Sequence, residues 1–245
     1  MRSNKAFNLI CIPFAGGSIY SFKDFHSTSD DLIRIIPVEL PGRGKRVNEH
    51  LLTNIHQIVD DLFIQIEDKL DEPYAIYGHS LGSLLGYLLV KLVLEKKRSP
   101  PVHLFCSGRG GPSLSMDDER LVDLPDKVFR DKLRELGGSP DEIFQNEEMI
   151  AFFEPILRAD FRAHEDYEYI DTKPFDVPIT VMVGREDRIT LEDVELWQCE
   201  TTCRISIEEF PGGHFFIFDH ASKIVEIISD TLLSKDIKNG SSLLP

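Results

Sequence analysis

Cysteine is scarce in this sequence, which contains four in 245 residues. Four are too few for a disulfide-based scaffold, and Cys11 and Cys106 lie inside apolar runs, where a cysteine behaves as a small hydrophobic residue. Cys199 and Cys203 have helical spacing but no neighbouring His or Cys pair, so they do not predict a metal site. We therefore expect a reduced, cytoplasmic protein.

Positive charge is also in short supply, with 27 Lys and Arg against 42 Asp and Glu and a formal net charge of −15. This balance argues against a nucleic-acid binder and against adsorption to an anionic membrane. Long hydrophobic runs are missing too. The most apolar helical segment, Leu81–Leu94, is interrupted by Lys91 and is too short to span a bilayer. The N-terminal apolar run is about seven residues long and lacks a small-residue cleavage site, so it does not predict a signal peptide.

The composition that remains is that of a folded protein, with 42% hydrophobic and 28% charged residues. Short, almost continuously apolar runs are typical of parallel strands buried on both faces, and six occur, at Phe7–Pro13, Leu32–Val38, Tyr74–Gly78, Val102–Ser107, Val177–Gly184 and Arg204–Phe210. Helical periods occur between them, at Thr53–Leu70 with Thr53 as N-cap, Leu81–Lys97 and Ser222–Leu233. This alternation predicts an α/β fold with a mostly parallel, doubly wound sheet.

One long segment departs from this alternation. Between Pro112 and Pro174 we find helical patterns but no strand-like run. An insertion of about 60 residues is too long for a plain loop and predicts a helical lid. The predicted organisation is a core formed by residues 1–111 and 175–235, a lid insertion at 112–174 and a flexible tail at 236–245.

The segment Gly78-His79-Ser80-Leu81-Gly82 fits the pattern G-x-S-x-G. A strand-like run leads into it and a long apolar helix follows, which is the context of the nucleophile elbow in the α/β-hydrolase fold. The tight turn needs glycine on either side, and the helix N-terminus favours developing negative charge at the serine. Ser80 is therefore the predicted nucleophile, while His79 is interpreted as a packing residue.

A serine nucleophile needs a base that is oriented by a carboxylate, and in this fold the chain order is Ser, acid, His. His214 follows the last strand-like run through the flexible Pro211-Gly212-Gly213 and is the predicted base. The acid is expected at the end of the preceding strand, where Asp187 is favoured over its neighbour Glu186. The sequence therefore predicts a triad of Ser80, Asp187 and His214.

Two backbone N–H groups are needed to stabilise the oxyanion. Leu81, directly after the nucleophile, is one predicted donor. The glycine-rich loop after the first strand supplies the other, with Ala15 favoured and Phe14 as the alternative. The chain has no dinucleotide-binding G-x-G-x-x-G after a strand, no P-loop, no H-E-x-x-H and no C-x-x-C, so neither a metal nor a nucleotide cofactor is predicted.

Taken together in this order, several segments resemble the type II thioesterases that accompany non-ribosomal peptide and polyketide synthases. The resemblance covers nearly the whole chain, and the matching segments are Ile12–Ser18, Glu39–Gly44, Tyr77–Gly82, Leu136–Pro140, Pro155–Phe161 and Pro211–Phe216. Leu81 departs from the family, which more often has Met there, but this residue contributes only its backbone amide.

The resemblance implies a serine hydrolase that cleaves acyl thioesters from the phosphopantetheine arm of carrier proteins through an acyl-serine intermediate. Such enzymes edit or release chains in natural-product biosynthesis. Phosphopantetheine belongs to the substrate, so the resemblance implies no cofactor. The expected partner is an acyl or peptidyl carrier domain, with no role for nucleic acid or membrane, and we expect a monomer.

The resemblance also gives the lid and one loop a role. Apolar lid residues could form the wall of an acyl pocket, and the candidates are Phe144, Met149, Phe152, Phe153, Ile156 and Leu157. Arg43, Lys45 and Arg46 follow a strand on the catalytic side of the sheet and are hypothesised to dock the acidic carrier or its phosphate. Two other functions stay open: a carboxylesterase or lipase with the same triad, and a non-catalytic ligand-binding protein, which the complete triad disfavours.

Overall fold

The computed structural model of the chain describes residues 7–28, 33–114, 120–138 and 141–240. All six predicted strands form, as β1 Phe7–Ile12, β2 Ile33–Pro37, β3 Tyr74–His79, β4 Leu104–Ser107, β5 Ile179–Gly184 and β6 Ser206–Phe210. They make one sheet in the order β2-β1-β3-β4-β5-β6, and every pairing is parallel. Every residue of β1, β3, β4 and β5 is buried, as expected where helices cover both faces of a sheet. The predicted α/β-hydrolase fold is confirmed.

Eight α-helices lie in the described ranges, at α1 Lys23–Thr28, α2 Ile55–Ile66, α3 Leu81–Glu95, α4 Asp126–Leu136, α5 Asp141–Gln145, α6 Glu147–Glu165, α7 Leu191–Glu195 and α8 Ala221–Gly240. Helix α2 begins later than predicted. Its N-cap is Asn54, whose side chain accepts hydrogen bonds from the backbone N–H groups of His56 and Gln57, so the prediction of Thr53 as N-cap was wrong.

Two apolar layers enclose the sheet. On one face, α2 and α3 pack onto the strands through a large cluster that includes Leu62, Leu85 and Leu89. On the other face, α8 packs with α1 through a second cluster that includes Phe25 and Ile228. Both layers are contiguous cores of aliphatic and aromatic side chains, which hold the sheet rigid beneath the loops at its carboxyl edge.

The strand order reverses next to β1, because β2 lies on one side of it and β3 on the other. In open parallel sheets, ligands bind outside the carboxyl ends of the strands at such a switch point. The loop after β1 begins at Pro13, and the turn after β3 contains Ser80, so both segments predicted to carry the chemistry flank this crevice.

The segment between β4 and β5 contains helices α4, α5 and α6, and its described residues form no strand. At the C-terminus, α8 continues to Gly240, five residues into the segment predicted to be a flexible tail. The helical periodicity past Leu233 was too weak to predict this extension, and residues 241–245 lie outside the described ranges. Within those ranges, no helix has the length and apolarity needed to cross a membrane.

Candidate active site

Ser80 occupies a sharp turn between β3 and α3. Its backbone has φ 54° and ψ −115°, and a positive φ is strained for a residue with a side chain. The turn is held by a hydrogen bond of 2.8 Å from the Ser80 N–H to the carbonyl of Ser107 in β4. This is the geometry of a nucleophile elbow, in which the serine hydroxyl projects from the carboxyl edge of the sheet at the start of a helix.

The two glycines that flank the serine are required by close backbone contacts. A Cβ atom on Gly78 would lie 2.1 Å from the carbonyl oxygen of Gly82. A Cβ atom on Gly82 would lie 2.2 Å from the carbonyl oxygen of Ile12 in β1. Because backbone atoms cannot move aside without displacing a strand, no side chain fits at either position.

His214 and Asp187 come together at the ends of β6 and β5. The distance between His214 Nδ1 and Asp187 Oδ2 is 2.8 Å, and the Asp187 carboxylate is almost fully buried. A carboxylate can only accept this hydrogen bond, so Nδ1 carries the proton and Nε2 is free to accept another. Glu186, the alternative acid, accepts a hydrogen bond from the backbone N–H of Gly212 instead.

A cavity of about 550 Å³ opens above these residues. Its lining includes Ser80 and His214, together with Leu81, Ala15 and Phe14 from the two segments predicted to form the oxyanion hole. The Leu81 N–H is at the first position of α3, where no intrahelical acceptor exists. Among the described residues, no acceptor bonds the Ala15 N–H. Nucleophile, base and candidate oxyanion donors therefore line one cavity.

The loop after β1 is held in place by the helix above it. The Gly16 N–H donates a hydrogen bond of 2.7 Å to Asp160 Oδ2 in α6. Asp160 is fully buried and also binds the guanidinium of Arg43 through both carboxylate oxygens. This three-way contact joins α6, the loop after β1 and the loop after β2, next to the candidate donor Ala15.

The family model of the thioesterase domain matches residues 7–232. The chain belongs to the thioesterase family. It is 34% identical over 233 residues to the gramicidin S biosynthesis protein GrsT of Aneurinibacillus migulanus, with 95% of this chain and 91% of that protein covered. Among solved structures, it resembles ClbQ from the colibactin NRPS/PKS pathway, with a TM-score of 0.90, 31% identity and coverage of 95% of this chain and 99% of that one. It also resembles the type II thioesterase BorB from the borrelidin biosynthetic cluster, with a TM-score of 0.84, 29% identity and 92% of both chains covered.

The resemblance to type II thioesterases is thereby confirmed, whereas one of the predicted docking residues was wrong. Arg43 is not a docking residue, because its guanidinium is buried against Asp160 and does not reach the surface. Arg46 is half-buried and paired with Glu49 and Asp61, so most of its charge is already neutralised. Lys45 is exposed and stays a docking prediction. A sequence pattern of three cations does not reveal which of them have partners.

The six predicted acyl-pocket residues also differ in whether they line the cavity. Of the six, only Leu157 lines the cavity of this thioesterase. Met149 and Phe152 lie three residues apart on α6 and are exposed, while Ile156 is buried outside the cavity. Phe144 packs beside the small lid core, and Phe153 contacts Phe152. Most of the apolar wall is formed by residues that were not predicted from the sequence, namely Leu114, Leu121, Leu133, Leu136 and Phe161.

Two further cavity residues were missed because they are polar and far from the motifs. Arg109 lies just after β4, and His164 lies near the end of α6. His79, in contrast, behaves as predicted. Its Nδ1 lies 2.7 Å from Ser107 Oγ, and its buried ring packs against that of His214. Burial and, secondarily, the nearby His214 hold the pKa of His79 well below its usual range, so the ring is neutral.

Proposed function

We propose that this thioesterase hydrolyses acyl thioesters on the phosphopantetheine arm of carrier proteins, through an acyl-serine intermediate formed on Ser80. The observation that carries the proposal is the strained elbow at Ser80, which lines the same cavity as His214, whose Nδ1 is paired with Asp187. The similarity to GrsT, ClbQ and BorB supports a role in natural-product biosynthesis.

In the proposed acylation, the Ser80 hydroxyl attacks the thioester carbonyl while His214 Nε2 takes its proton. The negative charge that develops on the carbonyl oxygen is stabilised by the backbone N–H groups of Leu81 and Ala15. When the tetrahedral intermediate collapses, the carbon–sulfur bond breaks and the thiolate receives the proton from His214. The acyl group is then an ester of Ser80, and the arm leaves as a thiol.

In the proposed deacylation, a water molecule gives its proton to His214 Nε2 and attacks the acyl-serine carbonyl. Collapse of the second tetrahedral intermediate returns the proton to Ser80 Oγ and releases a carboxylic acid. Asp187 holds the Nδ1 proton of His214 in both steps and stabilises the imidazolium that forms.

We further propose that residues 112–174 act as a lid over this reaction, because α4 and α6 contribute Leu133, Leu157 and Phe161 to the cavity wall. These apolar side chains suit an acyl group and exclude water from the acyl-serine. Lys45, exposed in the loop after β2, stays a proposed contact for the acidic carrier. Because Lys45 is a single cation, we propose that it speeds association with the carrier protein and is not part of the active site itself.

The test compares two substrates with the same acyl group, an acyl-carrier protein and the corresponding p-nitrophenyl ester. We expect kcat/KM to be higher for the acyl-carrier protein, and Ser80→Ala to lose several orders of magnitude on both. Ser222→Ala is the control, because Ser222 is exposed on α8 and does not line the cavity. A preference for the oxygen ester would favour a carboxylesterase, and full turnover by Ser80→Ala would refute the assignment.

A further inference from the structure

Arg109 brings a positive charge into the wall of the cavity that contains the nucleophile. It follows β4 by two residues, and the carbonyl of Ser107 at the end of that strand accepts the hydrogen bond from the Ser80 N–H. The Arg109 backbone is fixed, because its carbonyl accepts a hydrogen bond of 3.0 Å from Trp197 Nε1. The residue is only 8% exposed and lines the cavity.

No carboxylate among the described residues pairs with this guanidinium. Its Nε atom is buried and makes no hydrogen bond. One terminal nitrogen contacts Nε2 of His164, which must accept the hydrogen bond and is therefore neutral. Burial, with Arg109 among the nearby cations, holds the pKa of His164 well below its usual range. Burial lowers the pKa of Arg109 only to about 10, so the guanidinium stays charged at neutral pH.

Two other cations that line the cavity are paired with carboxylates. Arg120 pairs with Asp166 at 2.6 Å, and Lys132 pairs with Glu135 at 3.3 Å. A buried charge without a partner is costly, and proteins retain such a group where a ligand completes its hydrogen bonding. The lack of a carboxylate partner among the described residues and the place of Arg109 in the cavity wall therefore indicate a binding site for an oxygen acceptor.

We propose that Arg109 is a specificity-determining residue that binds a carbonyl or carboxylate oxygen of the acyl group, a few bonds beyond the thioester. This inference rests on the proposed function and names its substrate class: acyl groups that carry such an oxygen, in preference to plain alkanoyl groups. The phosphate of the arm is not the proposed ligand, because the whole pantetheine chain separates it from the thioester at Ser80, whereas Arg109 lines the same cavity as Ser80.

The experiment measures kcat/KM for three N-acetylcysteamine thioesters with four-carbon acyl groups, with the uncatalysed rate of each subtracted. Butanoyl has no acceptor oxygen, 3-oxobutanoyl has a neutral one and 3-carboxypropanoyl has a carboxylate. We expect the wild-type protein to favour at least one oxygenated acyl group over butanoyl, and the favoured group identifies the kind of oxygen bound. A wild-type preference for butanoyl over both would overturn the proposal without any variant.

Arg109→Met should lower kcat/KM for the favoured oxygenated group by about ten- to a hundredfold, as expected for loss of a charged hydrogen bond, with little change for butanoyl. Arg109→Lys keeps the positive charge but lacks the planar guanidinium, so it should retain part of the preference for the oxygenated acyl group. This variant replaces Arg109→Met in the test if Arg109→Met does not fold. Arg120→Met is the control and should change all three rates by a similar factor. An equal loss on all three with either Arg109 variant would contradict the proposal. If the wild-type protein shows no hydrolysis of the butanoyl thioester that depends on Ser80, the proposed function itself would be contradicted.

Discussion

The carboxylate of Asp160 in α6 accepts a hydrogen bond of 2.7 Å from the backbone N–H of Gly16, in the loop after β1. Asp160 is fully buried, and its charge is balanced by Arg43, whose second terminal nitrogen lies 2.7 Å from Oδ1. A residue of the proposed lid therefore holds the loop that carries the candidate oxyanion donor Ala15. The arrangement couples the position of α6 to the catalytic geometry and has consequences for both stability and rate.

The buried ion pair should have a large effect on stability. Arg43→Met leaves the Asp160 carboxylate buried without a countercharge, which we expect to cost about 3–5 kcal/mol in the free energy of unfolding. The double variant Arg43→Met/Asp160→Asn removes both charges and should recover most of this loss. Urea denaturation measures both. Arg34→Met is the control, because the side chains of Arg34 and its partner Glu72 are 62% and 59% exposed. Removing this ion pair should lower the free energy of unfolding by less than about 1 kcal/mol.

The Asp160 carboxylate, which accepts the hydrogen bond from the Gly16 N–H, should affect the catalytic rate separately from its effect on stability. Arg43→Met/Asp160→Asn retains an oxygen that can accept the Gly16 N–H, whereas Arg43→Met/Asp160→Leu has none, and both lack the ion pair. We expect kcat of the Leu variant to fall about 100-fold below that of the Asn variant, with little difference in KM, because a misplaced oxyanion donor affects the transition state. Equal kcat values in the two would show that Asp160 does not position the loop.

Features that depend on neighbouring residues could be predicted from the sequence. All six strands were identified because strands buried on both faces are continuously apolar. The elbow was identified because the steric need for glycine is met within five residues, from Gly78 to Gly82. The pairing of Asp187 with His214 followed from the chain order of the fold together with strand ends.

Features that depend on distant pairing could not be predicted. Arg43 and Asp160 are 117 residues apart, and nothing in either local sequence indicates that they meet. Arg43 was therefore interpreted as a surface cation. Most of the predicted acyl-pocket residues do not line the cavity, for a related reason. The sequence of α6 shows that it contains many apolar residues, but only its packing decides that Leu157 and Phe161 line the cavity while Phe152 is exposed.

Two glycines of α3 provide a matched test of the elbow. A Cβ atom on Gly82 would lie 2.2 Å from the Ile12 carbonyl oxygen, whereas one on Gly86 would meet only side-chain carbons, the nearest being Ile76 Cγ2 at 3.1 Å. We expect Gly82→Ala to lose at least about 3 kcal/mol in the free energy of unfolding. Gly86→Ala should change it by no more than about 1 kcal/mol, since alanine favours the helix and the side chains can adjust. Similar losses in chemical denaturation would contradict the steric account.

The buried, neutral His79 should make the fold sensitive to acid. Because burial and the nearby His214 lower its pKa in the folded state, the unfolded chain binds a proton below about pH 6.5 that the folded chain does not. Stability is therefore lost as the pH falls, by up to about 1.4 kcal/mol per pH unit from this residue. Urea unfolding at pH 7.5 and pH 5.5 should show a smaller pH effect in His79→Gln. The exposed His56→Gln is the control and should keep the wild-type pH effect; an unchanged effect in both would refute the assignment.

Asp187 and Glu186 are adjacent carboxylates, and the structure assigns them different partners. Asp187 Oδ2 bonds His214 Nδ1 at 2.8 Å, whereas Glu186 accepts the backbone N–H of Gly212. Asp187→Asn presents an amide that can donate to Nδ1, which favours the wrong imidazole tautomer, so we expect kcat to fall by about 10⁴-fold. Glu186→Gln keeps an oxygen acceptor for Gly212 and should lose less than about tenfold. Single-turnover acylation measures the two variants directly on the step in which His214 takes the serine proton. A larger loss for Glu186→Gln than for Asp187→Asn would make Glu186 the acid and Asp187 its neighbour.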